Sequence, residues 1–165
     1  MSNQEIHTIC NEYDITNYTI NQDGSIDVYH YVDLNGKELT KIPIKFNNVY
    51  GFFTCSYNNL TSLENSPKWI KESFFCIENK LTTLEGCPIS DGDYYFNNNP
   101  LESLDGFNGN YNRLSCHNRD NLIKKHKRKH KLKQLYELWV NKRSMIFVRY
   151  IIKNYIINPD GTIDV

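Results

Sequence analysis

The sequence has no apolar run approaching the length of about 18 residues that a membrane-spanning helix needs. Its first residues, MSNQEIHTICNEYD, lack the basic start and apolar stretch of a secretory signal. The five cysteines are an odd number without a C-x-x-C pair, which disfavours a disulfide framework and a zinc site. These absences predict a cytoplasmic protein with reduced thiols and no metal or other cofactor.

The sequence also lacks the local motifs of common enzymes. No glycine-rich phosphate loop, pair of carboxylates or nucleophile–base arrangement stands out. We therefore expect a protein that is not an enzyme.

The charge is distributed unevenly along the 165 residues, although the net charge is zero. Residues 1–121 contain 8 Lys/Arg and 16 Asp/Glu, whereas residues 122–165 contain 11 and 3. The hydrophobic fraction of 39% is that of a folded protein, and the length suits one domain. An acidic body followed by a basic segment predicts two surfaces of different character.

An internal repeat dominates the middle of the chain. The stretch CSYNNLTSLENSP at 55–67 returns as CIENKLTTLEGCP at 76–88. One leucine per copy marks the period, with spacings of 21, 21, 20 and 21: Leu39, Leu60, Leu81, Leu101 and Leu122. Such a period is typical of a solenoid, in which units that cannot bury their own apolar face share one core.

Each part of the repeat has a structural task. Alternating apolar residues such as Phe53 and Cys55 predict a short strand whose side chains point inward. The following asparagine turns the chain, because its amide can bond backbone groups that the bend leaves unpaired. Stacking predicts a ladder of these amides through the core: Asn58, Asn79 and Asn99.

These motifs resemble the leucine-rich repeat, and more narrowly a group of small leucine-rich-repeat proteins common in bacteriophage genomes. The resemblance rests on NYTINQDGSIDV, LTKIPIKF, CSYNNLTSLE and ENKLTTLEGCP, and covers roughly residues 10–125. It implies an α/β repeat fold, a short leucine-rich-repeat solenoid of about four to five turns. It also implies a phage protein located in the host cytoplasm, and we expect it to bind and inhibit a bacterial defence protein.

The ends of the solenoid require caps. Residues 1–30 predict a helix followed by a β-hairpin at NQDG, and residues 31–121 form the solenoid. Residues 122–153 predict a basic helical segment, with one helix at about 121–141 and a second at 144–152 that Ser144 caps.

Residues 154–165 repeat the hairpin motif, since YIIKNYIINPDGTIDV matches residues 13–28 at an offset of 137. Three interpretations remain open: a second module that is cut short, a hairpin that closes the far end of the solenoid, or a strand that pairs with a neighbouring molecule head to tail.

Two surfaces are candidates for binding. The first is the outward side of the strands, where aromatic and apolar residues alternate with polar ones, as in protein interfaces. Its predicted contact residues are Phe52, Tyr57, Phe75, Ile77 and Tyr95. The alternative is that the C-terminal helices cover this patch as ordinary core.

The second surface is the basic run, which holds seven Lys/Arg between Lys124 and Lys133 and could neutralise nucleic-acid phosphates. The residues concerned are Lys124, Lys125, Lys127, Arg128, Lys129 and Lys131. A solvated helix face is the competing interpretation.

Three further motifs favour structural interpretations. Cys55 and Cys76 predict core packing, because their alternation points them inward. His126 and His130 have metal-ligand spacing, but the surrounding cations disfavour a metal. NQDGSID lacks the outer ligands of a calcium loop and predicts a turn. The sequence thus predicts a protein-interaction module with a bacterial protein as partner, or alternatively a nucleic-acid-binding protein.

Overall fold

The structure is a computed structural model that describes residues 1–142, 156–157 and 163–164, with side chains for residues 1–137. The chain forms two compact units, residues 1–123 and residues 124–165. Among the residues described, no helix combines the length and apolar character needed to cross a membrane.

The first unit is a β-solenoid of about four turns, and it confirms the predicted repeat. Each turn contributes one short strand to each of two sheets. Sheet A has the order β1-β2-β4-β6-β8, with strands Tyr18–Ile20, Ile26–Val28, Phe46–Val49, Trp69–Ile70 and Ile89–Ser90. Sheet B has the order β3-β5-β7-β9-β10, with strands Val32–Asp33, Phe53–Thr54, Phe74–Phe75, Tyr94–Tyr95 and Leu114–Ser115.

The turns stack in the register that the sequence predicts. In sheet B, Phe53 lies beside Phe74, and Phe74 lies beside Tyr94. These three side chains are buried, as is Cys55, so alternate residues point inward. The ring centroids of Phe53 and Phe74 lie 5.8 Å apart, and the Phe74 ring also contacts Phe96. A continuous core results, which no single turn could form.

The predicted asparagine ladder is present and bridges successive turns. The Asn79 amide nitrogen donates to the Cys55 carbonyl of the preceding turn, at 3.0 Å, and the Leu60 N–H donates to the Asn79 side-chain oxygen, also at 3.0 Å. Asn99 repeats both contacts one turn later, with Cys76 and Leu81. All three asparagines are buried. Each amide therefore satisfies backbone groups that the turn leaves unpaired inside the core.

The prediction of an α/β repeat is corrected, because each turn contains two strands and no helix. The stretch that follows Leu63 or Leu84 runs through Pro67 or Pro88 directly into a strand of sheet A. Proline at this point disrupts a helix, and the two or three residues left before the next corner are too few to begin one. The α-helices of the described chain lie before and after the repeats in sequence.

The fifth copy is incomplete. It keeps its strand in sheet B and the buried Cys116, but Leu122 lies in helix α2, Arg119–Lys142, in agreement with the helix predicted at about 121–141. Among the described residues, no further strand joins sheet A, which ends at β8. There the Ser90 N–H donates to the Tyr94 hydroxyl at 2.7 Å, and Phe107 packs edge-on against the Tyr94 ring. The last edge of sheet A is thus partly satisfied by a side chain.

The N-terminal cap consists of helix α1, Asn3–Glu12, and the hairpin β1–β2. Ser2 and Glu5 form a capping box, and Ile6 and Cys10 are buried in the core. The NQDG segment is a hairpin turn, as predicted, in which the Asp23 carboxylate accepts hydrogen bonds from Ser25. Lys45 bonds the same carboxylate at 2.7 Å, and this contact lowers the pKa of Asp23 well below its usual range.

The second unit contains most of α2, which matches the helix predicted at about 121–141. The helix predicted at 144–152, with Ser144 as its cap, lies outside the described residues. Strands β11, Ile156–Ile157, and β12, Ile163–Asp164, pair antiparallel. Their register, Ile157 with Ile163, equals that of Ile20 with Ile26 after the offset of 137.

Candidate functional site

An ordered group of aromatic side chains lies on the outside of the solenoid, around the corner that joins the two sheets. We call this group the aromatic surface. It comprises Tyr29, Tyr31, Tyr50, Phe52, Trp69, Phe75 and Tyr95. All seven side chains are exposed or half-buried, and Tyr29 and Tyr31 each expose 46% of their surface.

Two stacked pairs form the centre of the aromatic surface. Tyr31 lies on Phe52 with 4.9 Å between ring centroids and 6° between ring planes. Phe75 lies on Tyr95 with 4.8 Å and 4°. A T-shaped contact between Phe52 and Phe75, with centroids 6.3 Å apart, joins the pairs. Neighbouring turns thus hold these rings in fixed positions, because the stacking distance matches the strand spacing.

A second group extends the aromatic surface across the corner. Tyr29 stacks on Tyr50 with 5.2 Å between ring centroids, and Tyr50 meets Trp69 edge to face. The corner allows this close approach because Gly51 has no side chain. A Cβ at Gly51 would lie 2.8 Å from the Tyr31 backbone nitrogen, which is too close for any other residue.

The rings cover one another, and this limits what the aromatic surface can bind. Each stacked pair occupies one ring face of both partners. Each stacked ring therefore has at most one open face, together with its edges and, in tyrosine, its hydroxyl. A flat ligand such as a nucleic-acid base needs an open ring face, whereas ring edges and hydroxyls are the contacts that tyrosine makes in protein interfaces.

The two sides of the solenoid differ in net charge. The segments that carry the aromatic surface hold five Asp/Glu and two Lys/Arg: residues 27–33, 48–54, 69–75, 89–95 and 113–115. The return segments hold five of each: residues 37–45, 58–68, 79–88 and 99–110. The aromatic side is therefore net negative, and its field disfavours an approaching phosphate backbone.

Three of the five predicted contact residues come together in the structure, namely Phe52, Phe75 and Tyr95. Ile77 lies half-buried two residues beyond Phe75, and its N–H donates to the Ser56 hydroxyl. Tyr57 lies in the preceding turn of the solenoid and is 58% exposed, and its N–H donates to the Ile77 carbonyl. Tyr57 and Ile77 thus adjoin each other in the structure, and none of the ring contacts between described residues includes Tyr57.

The sequence analysis missed four members of the aromatic surface: Tyr29, Tyr31, Tyr50 and Trp69. A signal for three of them was present, because Tyr31 precedes Phe52 by 21 residues, and Tyr29 precedes Tyr50 by the same step. Trp69 gave no such signal, since its neighbours in the same column, Asn48 and Ile89, are not aromatic.

Tyr57 occupies a position with left-handed backbone geometry. Its φ is 58°, and the equivalent residues in the other turns are Gly36, Glu78 and Asn98, with φ between 52° and 60°. Glycine and asparagine adopt this geometry at little cost, whereas tyrosine does not. The solenoid thus has an exposed tyrosine at a position where glycine or asparagine would make the fold more stable.

The cysteines of the repeat strands are core residues, as predicted for Cys55 and Cys76. Cys55 and Cys76 are fully buried, and the Asn79 amide donates to the Cys76 sulfur at 3.4 Å. Burial raises the pKa of the Cys55 and Cys87 thiols well above their ordinary value. Such thiols are poor nucleophiles.

The basic run lies along one continuous helix. All six predicted nucleic-acid contacts, from Lys124 to Lys131, are exposed on α2. Within the same unit, the rings of His126 and His130 lie 4.4 Å apart. Across the part of the chain that the structure describes, no three His, Cys, Asp or Glu residues are grouped so that they could hold a metal ion.

Comparisons of the chain with protein-family models, with curated proteins and with solved structures return no match.

Proposed function

We propose that this chain is a non-enzymatic protein-interaction module that binds a protein partner through the aromatic surface. The observation that carries the proposal is the pair of stacks, Tyr31 on Phe52 and Phe75 on Tyr95, held in exposed or half-buried positions by the solenoid.

Preorganisation supports this proposal. Ordering side chains at an interface costs about 0.5–1.5 kcal/mol for each flexible side chain. Rings that already rest on one another lose less freedom on binding, which favours affinity. Tyrosine also combines a large apolar area with a hydroxyl at its tip, and it is enriched in the energetically important positions of interfaces.

The partner and the family are proposed together. The bacteriophage resemblance of the repeats makes a bacterial host protein the first partner to test, with inhibition of a defence protein as the expected consequence. We retain membership in the leucine-rich-repeat family as part of this proposal. In such a family, this chain would be a member whose turns each contribute one strand to each of two sheets.

Affinity capture from bacterial lysate tests the proposal. The tagged full chain is compared with Phe75→Asp and Tyr95→Asp, and circular dichroism checks that each variant is folded. Glu85→Lys is the matched control, because it changes the charge of an exposed residue on a return segment. We expect a protein that is retained by the parent and by Glu85→Lys but lost with both aspartate variants. Equal retention by all four chains contradicts the proposal.

A second candidate function is nucleic-acid binding through α2. It is favoured by the exposure of six cations within eight residues of one helix. If these cations contact phosphates, binding to DNA or RNA should weaken steeply with salt.

Charge reversal tests this second function. Electrophoretic mobility shifts compare the parent with a Lys125→Glu, Arg128→Glu, Lys129→Glu variant at 50 and 200 mM salt. Complexes that form at low salt, disappear at high salt and are lost in the variant support the second function. Absence of complexes at low salt contradicts it.

A further inference from the structure

Two aspartates, Asp33 and Asp93, lie on opposite sides of the two stacked pairs. In one outward column of the solenoid, Tyr31 and Phe52 are followed by Ser73 and Asp93. In the neighbouring column the order is reversed, because Asp33 and Thr54 precede Phe75 and Tyr95. The four rings therefore form a diagonal stripe, with one carboxylate on each side of it.

Both carboxylates are available to a partner. Asp33 and Asp93 are exposed, and among the described residues neither takes part in an ion pair. Asp33 accepts one hydrogen bond, from the Asn35 N–H of its own strand end. Three turns separate the two aspartates, so that their carboxylates lie roughly 15 Å apart across the stripe at the usual strand spacing.

From this arrangement we infer that the partner presents two cationic side chains, arginine or lysine, on either side of an apolar centre. This inference rests on the proposed function and adds the chemistry of the partner. An extended segment covers about 3.4 Å per residue, so the two cations belong four or five positions apart. The apolar residues between them meet the ring edges of Phe52 and Phe75.

Charge complementarity selects this occupant over others. The aromatic side of the solenoid holds five acids against two bases, and one of those bases, Arg113, already donates to the Asp91 carbonyl. An acidic segment would place like charges next to Asp33 and Asp93, which disfavours it. A neutral apolar segment would leave both carboxylates partly desolvated without a partner.

Selection from a random peptide library tests the inference. The full chain is immobilised and exposed to an mRNA-displayed library of 12-residue peptides, with a parallel selection on Phe75→Asp. We expect peptides that enrich on the parent alone, and that carry two Arg or Lys four or five positions apart around apolar residues.

Fluorescence anisotropy of the most enriched peptide then measures the contribution of each aspartate. Asp33→Asn and Asp93→Asn should each weaken binding about three-fold, and raised salt should weaken it further, because exposed ion pairs contribute modestly and are screened. Glu64→Gln and Glu85→Gln, exposed acids on the return segments, should leave the affinity unchanged.

The two proposals fail in distinguishable ways. Peptides that depend on Phe75 but are neutral or acidic overturn the inference and leave the proposed function intact. The same holds if the aspartate variants bind as tightly as the parent. Absence of any Phe75-dependent peptide also overturns the inference, and the lysate capture then decides the proposed function independently.

Discussion

The inside and the outside of the solenoid follow the same register but different rules of composition. Interior columns keep one chemical character: asparagine at 58, 79 and 99, leucine at 63, 84 and 104, and apolar residues of different size at 34, 55, 76 and 96. Exterior columns change from turn to turn, as in Tyr31, Phe52, Ser73 and Asp93. Both kinds of column have the same spacing along the axis.

This difference separates the interior residues, which the fold requires, from the exterior residues, which the fold only holds in position. An interior asparagine bonds the turn before it, and an interior leucine fills a buried volume, so a residue of different polarity is costly at either position. Serine and aspartate satisfy the same exterior positions that phenylalanine and tyrosine occupy elsewhere. The aromatic residues are thus not required by the stacking of turns.

The largest effect is expected in the leucine column. Leu81→Ala leaves a cavity in the core and should lower the free energy of unfolding by about 2–5 kcal/mol. Leu39→Ala is the matched control, because Leu39 has the same place in the repeat but is only half-buried. Urea denaturation measures both variants, and an equal loss for the two would contradict the assigned core.

The asparagine ladder should give the next largest effect. Asn79→Ala removes the side-chain acceptor of the Leu60 N–H and one of the two amide donors to the Cys55 carbonyl, the other being Asn58. We expect a loss of about 1–3 kcal/mol in the free energy of unfolding. Asn108→Ala, at an exposed position, should change it little. If thermal and urea melts of Asn79→Ala match those of the parent, the ladder does not stabilise the turns.

Alkaline pH should lower the free energy of unfolding through the buried thiols of the interior. Burial raises the pKa of Cys55 and Cys87 in the folded state, so folding favours their protonated forms. The resulting stability is complete below the unfolded thiol pKa of about 8.5 and is lost as the pH rises above it. Urea denaturation at pH 7 and pH 10 should therefore show lower stability at pH 10. A Cys55→Ala, Cys87→Ala variant should lose less between the two pH values, and an unchanged difference would exclude the thiols as its cause.

The smallest effect, and one of opposite sign, is expected at Tyr57. Tyr57→Asn replaces a tyrosine in left-handed geometry by a residue that adopts it readily, and should raise the free energy of unfolding by up to about 1 kcal/mol. The reverse exchange two positions along the same column, Asn98→Tyr, should lower it. Both values come from urea denaturation, and a destabilised Tyr57→Asn would show that the tyrosine packs in a way that its exposure does not indicate.

Much of the interior could be predicted from the sequence, because repetition makes each turn a template for the next. The Asn58, Asn79 and Asn99 ladder, the inward Phe53 and Cys55, and the stacking register all follow from a fixed step and from strand alternation. The cap helix and the hairpin at NQDG follow from local signals.

The second sheet and the place of Trp69 on the aromatic surface could not be predicted in this way. Trp69–Ile70 and Ile89–Ser90 are too short to show alternation, so sheet A gives no pattern of its own. The contact of Tyr50 with Trp69 joins different columns, because Trp69 pairs with Asn48 in sheet A, and a fixed step along the chain does not indicate such a contact.

The central claim is that the exterior rings serve binding and not folding. A double variant tests it, in which two rings are replaced by the residue that a neighbouring turn has in the same column. Phe75→Thr copies Thr54, and Tyr95→Ser copies Ser115. Urea denaturation of this double variant should show a loss of about 1–2 kcal/mol, the scale of one lost aromatic pair and its partial burial, and smaller than that of Leu81→Ala. A loss as large as that of Leu81→Ala, or an unfolded chain, would contradict the claim.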